Sequence, residues 1–239
     1  MITHPTFSLF SLKFQTWGSL FALGATVAFF ILIYLANLKK KNPDLIYNIF
    51  FLGFLGGIIG ARAFYFLAHP HSFSFVDFFY FWQGRYVLFG GIIFSLLLIL
   101  IYLIYKKQKI LEYLNLLIIP VLSAIFFIRL GSFLVLDNIG KITTMPWAIQ
   151  FLGQKRHPID AYYLILDAFL IGLSIYLFKK DNPRLFFIIL FGLAIGRIII
   201  HFFTTFVSTW DANLNLMFWS LGLIVSLSGI YFQKNKKNI

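Results

Sequence analysis

The chain has no cysteine, and only eight of its 239 residues are acidic. It therefore has no disulfide, no thiolate nucleophile of its own and no cysteine-ligated metal. Charge is scarce overall, at 12% of residues, where soluble domains carry about 25%. No separate soluble domain, fixed-period repeat or low-complexity linker interrupts the chain. No basic n-region or small-residue cleavage site precedes Trp17, so the first apolar helix is expected to be a retained span rather than a removed signal peptide. The apolar runs do not alternate polar with apolar residues, which argues against a β-barrel.

What the chain has in excess is apolar surface. Hydrophobic residues make up 60% of it, and phenylalanine alone contributes 32. One soluble core cannot bury that much, so an integral membrane protein is expected. Three uncharged runs, 17–38, 86–105 and 212–233, are each long enough to cross the bilayer. Four more apolar segments carry isolated charges: 45–67 around Arg62, 110–130, 159–178 around Asp167, and 185–207 around Arg197. Backbone amides must be satisfied internally in lipid, so the spans are predicted to be helices. The expected fold is a single all-α polytopic membrane domain, 1–239, of about seven spans.

Basic residues orient these spans. Of the 20 lysines and arginines, 12 follow helices one, three, five and seven: Lys39, Lys40, Lys41; Lys106, Lys107, Lys109; Lys179, Lys180, Arg184; and Lys234, Lys236, Lys237. Lys13, Arg85, Lys141, Lys155 and Arg156 fall on the opposite side. The positive-inside rule predicts an outer N-terminus and a cytoplasmic C-terminus. The net charge of +12 suits an anionic inner leaflet. It does not point to nucleic acid, because the lysines are divided among loops.

Polar residues inside the spans are the candidates for chemistry. Arg197 sits about twelve residues from either end of its predicted helix, where an arginine costs roughly 2.5–3.5 kcal/mol to insert. His201 follows four residues later, on the same helical face. An internal ion pair with Asp167 would satisfy Arg197 and is compatible with a ligand site. Arg129 and Arg62 lie nearer predicted helix ends, where snorkelling is ordinary. Asp160 follows Pro158, and an acid there equally fits a helix N-terminus. His69 and His71 could pair on a metal, but no third ligand stands near them; an interfacial aromatic segment is the simpler reading. Gly53/Gly57, Gly56/Gly60 and Gly192/Gly196 are small-xxx-small pairs that fit close helix packing. Several arginines in a lipid-embedded cavity with few acids suggest an anionic phospholipid headgroup as ligand. No cofactor or metal is expected.

The order of motifs resembles that of the prolipoprotein diacylglyceryl transferases. "FQTWGSLFALG" is similar to the family's first-helix signature, and "GIIGARAFYFLAH" to its Gly-x-Arg-x-x-Tyr stretch, with Arg62 and Tyr65 in place. "FGGIIF" falls at the family's His-Gly-Gly, and "RLGSFLVLDNIGK" resembles its Arg-x-Gly-Asn-Phe signature followed by an acid and Gly-Arg. "MPWAIQF", "RHPIDAYYLILD" and "GLAIGRIIIH" complete the series. The resemblance implies transfer of the diacylglyceryl group of phosphatidylglycerol to the lipobox cysteine of a prolipoprotein. Glycerol phosphate would be released, at a bacterial cytoplasmic membrane. It implies that Arg129 and Arg197 hold the phosphate, and that Asp137 orients Arg129 or a substrate hydroxyl. Arg62, Gly131, Ser132, Gly140 and Arg156 would frame the headgroup.

The departures fall on polar partners. Phe89 stands for the family histidine, Ser132 for asparagine, Asp137 for glutamate, His201 for the late glutamate and Trp17 for an early tyrosine. Either the base has moved, with His201 as its replacement, or the chain is a non-catalytic paralogue that binds anionic phospholipid in the same cavity. A transporter or channel lined by Arg197 and Asp167 is a third class, disfavoured by the lack of internal repeats.

Overall fold

A computed structural model of the chain describes residues 6–9, 12–68, 75–80, 86–206 and 208–235. His69, His71, Arg85, Lys236 and Lys237 lie outside the described residues. The described residues form seven α-helices: α1 (Thr16–Leu38), α2 (Pro43–Ala68), α3 (Leu88–Tyr105), α4 (Ile110–Val135), α5 (Ile159–Lys179), α6 (Leu185–His201) and α7 (Thr209–Asn235). Two antiparallel hairpins accompany them, β1 (Thr6–Leu9) with β2 (Leu12–Gln15) and β3 (Ile149–Phe151) with β4 (Gln154–Arg156). The chain is thus a predominantly helical, multi-pass membrane protein. Five helices, α1, α2, α4, α5 and α7, contain stretches long and apolar enough to cross a bilayer; α3 and α6 are apolar but shorter.

Several helix ends differ from the sequence reading, each for a local reason. The helix α4 runs to Val135, five residues past its expected end. It stops where Leu136 turns to a positive φ of 53° and the Asp137 amide donates back to the Ser132 carbonyl at 3.0 Å. Arg129 is therefore inside the helix rather than at its tip. By contrast α6 ends at His201, although the apolar run continues. The backbone there pairs with the α4–α5 connection instead, with Lys141 N donating to Phe203 O at 2.8 Å and Thr205 N to Ile139 O at 3.0 Å. Arg197 accordingly lies one turn from a helix end, not at mid-helix. The helix α7 begins at Thr209 because Ser208 caps it, its Oγ accepting from Asp211 N at 3.1 Å.

The chain folds as two compact units. One comprises residues 33–113. Its core is the α2–α3 contact, which glycines on both helices make possible. A Cβ at Gly60 would fall 2.3 Å from the Phe94 Cβ and 2.7 Å from the Gly90 carbonyl oxygen. The Ser95 hydroxyl donates across the same contact to Gly53 O at 2.9 Å. In this unit Arg62 is fully buried. Its guanidinium donates to the backbone carbonyls of Asp77, Phe78 and Tyr80, tying the 3₁₀ turn Phe75–Phe79 to α2.

The other unit comprises residues 1–32 and 114–239. The helices α5 and α6 pack closely because Gly192 and Gly196 face Leu170 and Leu166. A Cβ at either glycine would lie 2.7 or 2.5 Å from a leucine methyl. This approach sets Arg197, next to Gly196, against α5. The β3–β4 hairpin and the loop around Gly140 fold over the ends of α4, α5 and α6 through the bridges Gly140↔Thr204 and Ile142↔Arg156.

Candidate active site

The helix α5 presents a polar stripe. Asp160, Tyr163, Asp167 and Ser174 are all buried, and their spacing of three, four and seven residues puts them along one face. Two arginines meet that stripe. Arg197 from α6, 3% exposed, donates from Nη2 to both carboxylate oxygens of Asp167, at 2.9 and 3.1 Å. Arg129 from α4 has its Nη1 3.9 Å from Asp160 Oδ1. Tyr163 joins the two. The guanidinium carbons of Arg129 and Arg197 lie 4.3 and 4.2 Å from its ring centroid, so they stand no farther apart than 8.5 Å. Two cations at that separation repel by about 2 kcal/mol at an effective dielectric of 20. The two aspartates and the shared aromatic ring offset this repulsion. Trp219 of α7 adds a second ring, 5.7 Å from Arg197.

The cluster leaves hydrogen-bond donors over. Arg129 Nε, Arg197 Nε and Arg197 Nη1 are buried and have no acceptor. An unsatisfied buried donor costs about 1–3 kcal/mol, and guanidinium groups in such a state have the geometry to receive oxygens of an anion.

The remaining predicted residues fall around this pair. Gly131 and Ser132 are buried in the last turn and a half of α4. Asp137 follows that helix and is exposed, whereas the carboxylate beside Arg129 is that of Asp160. Asp160 also accepts from the Asn138 side chain at 2.6 Å and its backbone amide at 3.2 Å, so it links Arg129 to the loop after α4. Gly140 lies in that loop against His157, where an added Cβ would fall 2.2 Å from the His157 carbonyl oxygen. No other residue fits so close a backbone approach. Arg156 holds the same loop, donating from Nη1 to the Gly140 carbonyl at 3.1 Å and from Nη2 to Gln154 at 2.6 Å. His201, half-buried one turn beyond Arg197, has its Nδ1 3.3 Å from Asn215 Oδ1. Donation from Nδ1 to that amide oxygen would leave Nε2 as the basic nitrogen. Arg62 belongs to the other unit, where its donors meet backbone carbonyls.

Sequence reasoning did not single out Tyr163, Asn138, His157 or Asn215. Buried His157 lies 2.9 Å from the Tyr162 hydroxyl, which accepts from Trp147 Nε1 at 2.8 Å. Tyr163 had a detectable signal, the helical spacing that it shares with Asp160 and Asp167. Asn138 and Asn215 had none, because their partners are distant in sequence.

Comparison with known proteins agrees with this arrangement of motifs. The family model described as prolipoprotein diacylglyceryl transferase matches residues 5–233. A phosphatidylglycerol–prolipoprotein diacylglyceryl transferase of Campylobacter lari is 28% identical, over 98% of this chain and 94% of that protein. Proteins of the same name from Clostridium tetani (27% identical, 82% of this chain and 83% of that protein) and Finegoldia magna (28%, 78% of each) are similar to it as well. The chain belongs to the prolipoprotein diacylglyceryl transferase family.

Proposed function

We infer that the chain transfers the diacylglyceryl group of phosphatidylglycerol to the lipobox cysteine of a prolipoprotein, in lipoprotein biogenesis. The observation that carries the site assignment is the set of unsatisfied buried donors on Arg129 and Arg197 around Tyr163. In the reaction the cysteine sulfur attacks the glyceryl carbon bonded to the phosphate oxygen. A carbon–sulfur bond forms, the carbon–oxygen bond breaks, and its electron pair leaves on glycerol phosphate. The phosphate passes from one negative charge toward two as this happens. Donors placed at the phosphate therefore bind the transition state more strongly than the lipid.

In this reading Arg129 receives a phosphate oxygen through Nε, and Arg197 through Nε and Nη1. Asp167 and Asp160 fix the two guanidiniums and balance their charge when no lipid is bound. His201 Nε2 takes the thiol proton. A free thiol has a pKa of about 8.5, so a base or a positive field is needed near neutrality. Ser132, Gly131, Gly140 and Arg156 shape the loop over the headgroup, and Asp137 meets a substrate hydroxyl. Arg62 supports the fold of its own unit. All seven helices cross the cytoplasmic membrane, with the N-terminus outside and the basic loops inside.

The test is direct. Purified protein in detergent is given phosphatidylglycerol and a lipobox peptide, and the thioether product is sought by mass spectrometry. Product supports the transferase reading. Tight lipid binding without product would replace it with a non-catalytic lipid-binding paralogue.

A further inference from the structure

The β3–β4 hairpin is closed by the two residues Leu152 and Gly153, at φ values of +48° and +78°. A two-residue turn with both φ values positive favours Asn-Gly or Gly-Gly. Here the first place holds a leucine, and that leucine is 87% exposed. Both the backbone and the exposure disfavour a large apolar side chain at this tip in water. The rest of the α4–α5 connection shares the anomaly, since Ile142, Met145 and Trp147 are exposed as well. Exposed Lys141 and Lys155 stand among them.

The position of the hairpin explains this composition. Trp147 and Ile149 line an apolar groove of about 430 Å³ with Phe133 of α4 and with Pro158, Ala161, Tyr162 and Ile165. Ile165 is in the second turn of α5, and both it and Phe169 present exposed side chains on that apolar span. The base of the hairpin therefore lies alongside a membrane-crossing helix, and its apolar surface continues the lipid-facing surface of α5. The Trp147 indole, its Nε1 bonded to the Tyr162 hydroxyl at 2.8 Å, has the amphipathic placement of an interfacial anchor.

We propose that the 142–156 segment is a membrane-dipping finger. Leu152, Met145 and Ile142 enter the acyl boundary of the leaflet at the C-terminal end of α4, and Lys141 and Lys155 meet its anionic headgroups. Apolar insertion with flanking lysines is the combination that holds interfacial segments about 5–10 Å into the headgroup and acyl boundary. The anchor fixes the loop carrying Gly140 and Arg156 at the lipid surface. The proposal stands apart from the transferase assignment and is tested without turnover.

The absence of native cysteine makes a single-site probe clean. Leu152→Cys and, separately, Met145→Cys are labelled with an environment-sensitive fluorophore. The full chain is then reconstituted in phosphatidylethanolamine–phosphatidylglycerol vesicles without any peptide. The finger predicts blue-shifted emission, quenching by nitroxides on the acyl chains and loss of quenching by aqueous iodide at both positions. Iodide quenching with no acyl-chain quenching would overturn it. So would protection that develops only after a lipobox peptide is added, which would make the tip a contact for the peptide substrate.

Discussion

Tyr163 is the residue around which the site is organised. It touches both arginines, and it lies between Asp160 and Asp167 on the face of α5 that receives them. Tyr163→Phe keeps the ring and is expected to leave transfer close to the native rate. Tyr163→Leu removes about 1–2 kcal/mol of cation–ring attraction, equivalent to about a tenfold loss in kcat/KM. Equal rates in the two variants would remove Tyr163 from the account. His201→Ala is expected to abolish transfer while phosphatidylglycerol still binds, and Arg197→Lys to weaken transfer without abolishing it, because a lysine supplies charge but not the planar fork. Labelling of a lipobox thiol in membranes containing each variant reads both outcomes. The arginines were legible in the sequence because a cation in an apolar run demands a partner. The pairing of Arg129 with Asp160 was less so, since an acid after Pro158 also satisfies a helix N-terminus. Asp137 was the nearer acid in sequence, but the end of α4 leaves it exposed.

At the scale of elements, close packing at glycines brings together the charged groups of the candidate site. The small-xxx-small pairs of α2 and α6 were readable as packing sites, and both occur at close contacts. Gly60→Leu forces α2 from α3, because the new Cβ would meet Phe94 and the Gly90 carbonyl. Overpacking of this kind costs about 1–3 kcal/mol, so a lower Tm in detergent is expected. Gly172→Leu, at a position with nothing within 4 Å of an added Cβ, should leave Tm unchanged and serves as the control. The ends of α4 and α6 were not legible. Hydropathy reports where side chains prefer lipid, whereas both ends are set by backbone hydrogen bonds, from Asp137 to Ser132 and from Lys141 to Phe203. The hairpins were missed for a related reason. Three- and four-residue strands carry too little alternation to stand out in an apolar chain.

For the molecule as a whole, the proposed orientation rests on the distribution of lysines. Lys40 and Lys107 each lie just after an apolar helix, with a positive φ that ends it. Single cysteines at Lys107 and at Thr143 are expected to react with a membrane-impermeant maleimide from opposite sides, Thr143 in intact cells and Lys107 only after permeabilisation. Labelling of both from outside would contradict the proposed topology. The most direct test of the central claim compares the native chain with Arg129→Gln. Thioether product is measured by mass spectrometry from phosphatidylglycerol and a lipobox peptide. Removing one phosphate-directed donor group costs about 10²–10³-fold in rate where donors stabilise developing charge. The native chain is therefore predicted to form product and the variant at least about a hundredfold less. Product at the native rate in Arg129→Gln would contradict the phosphate clamp.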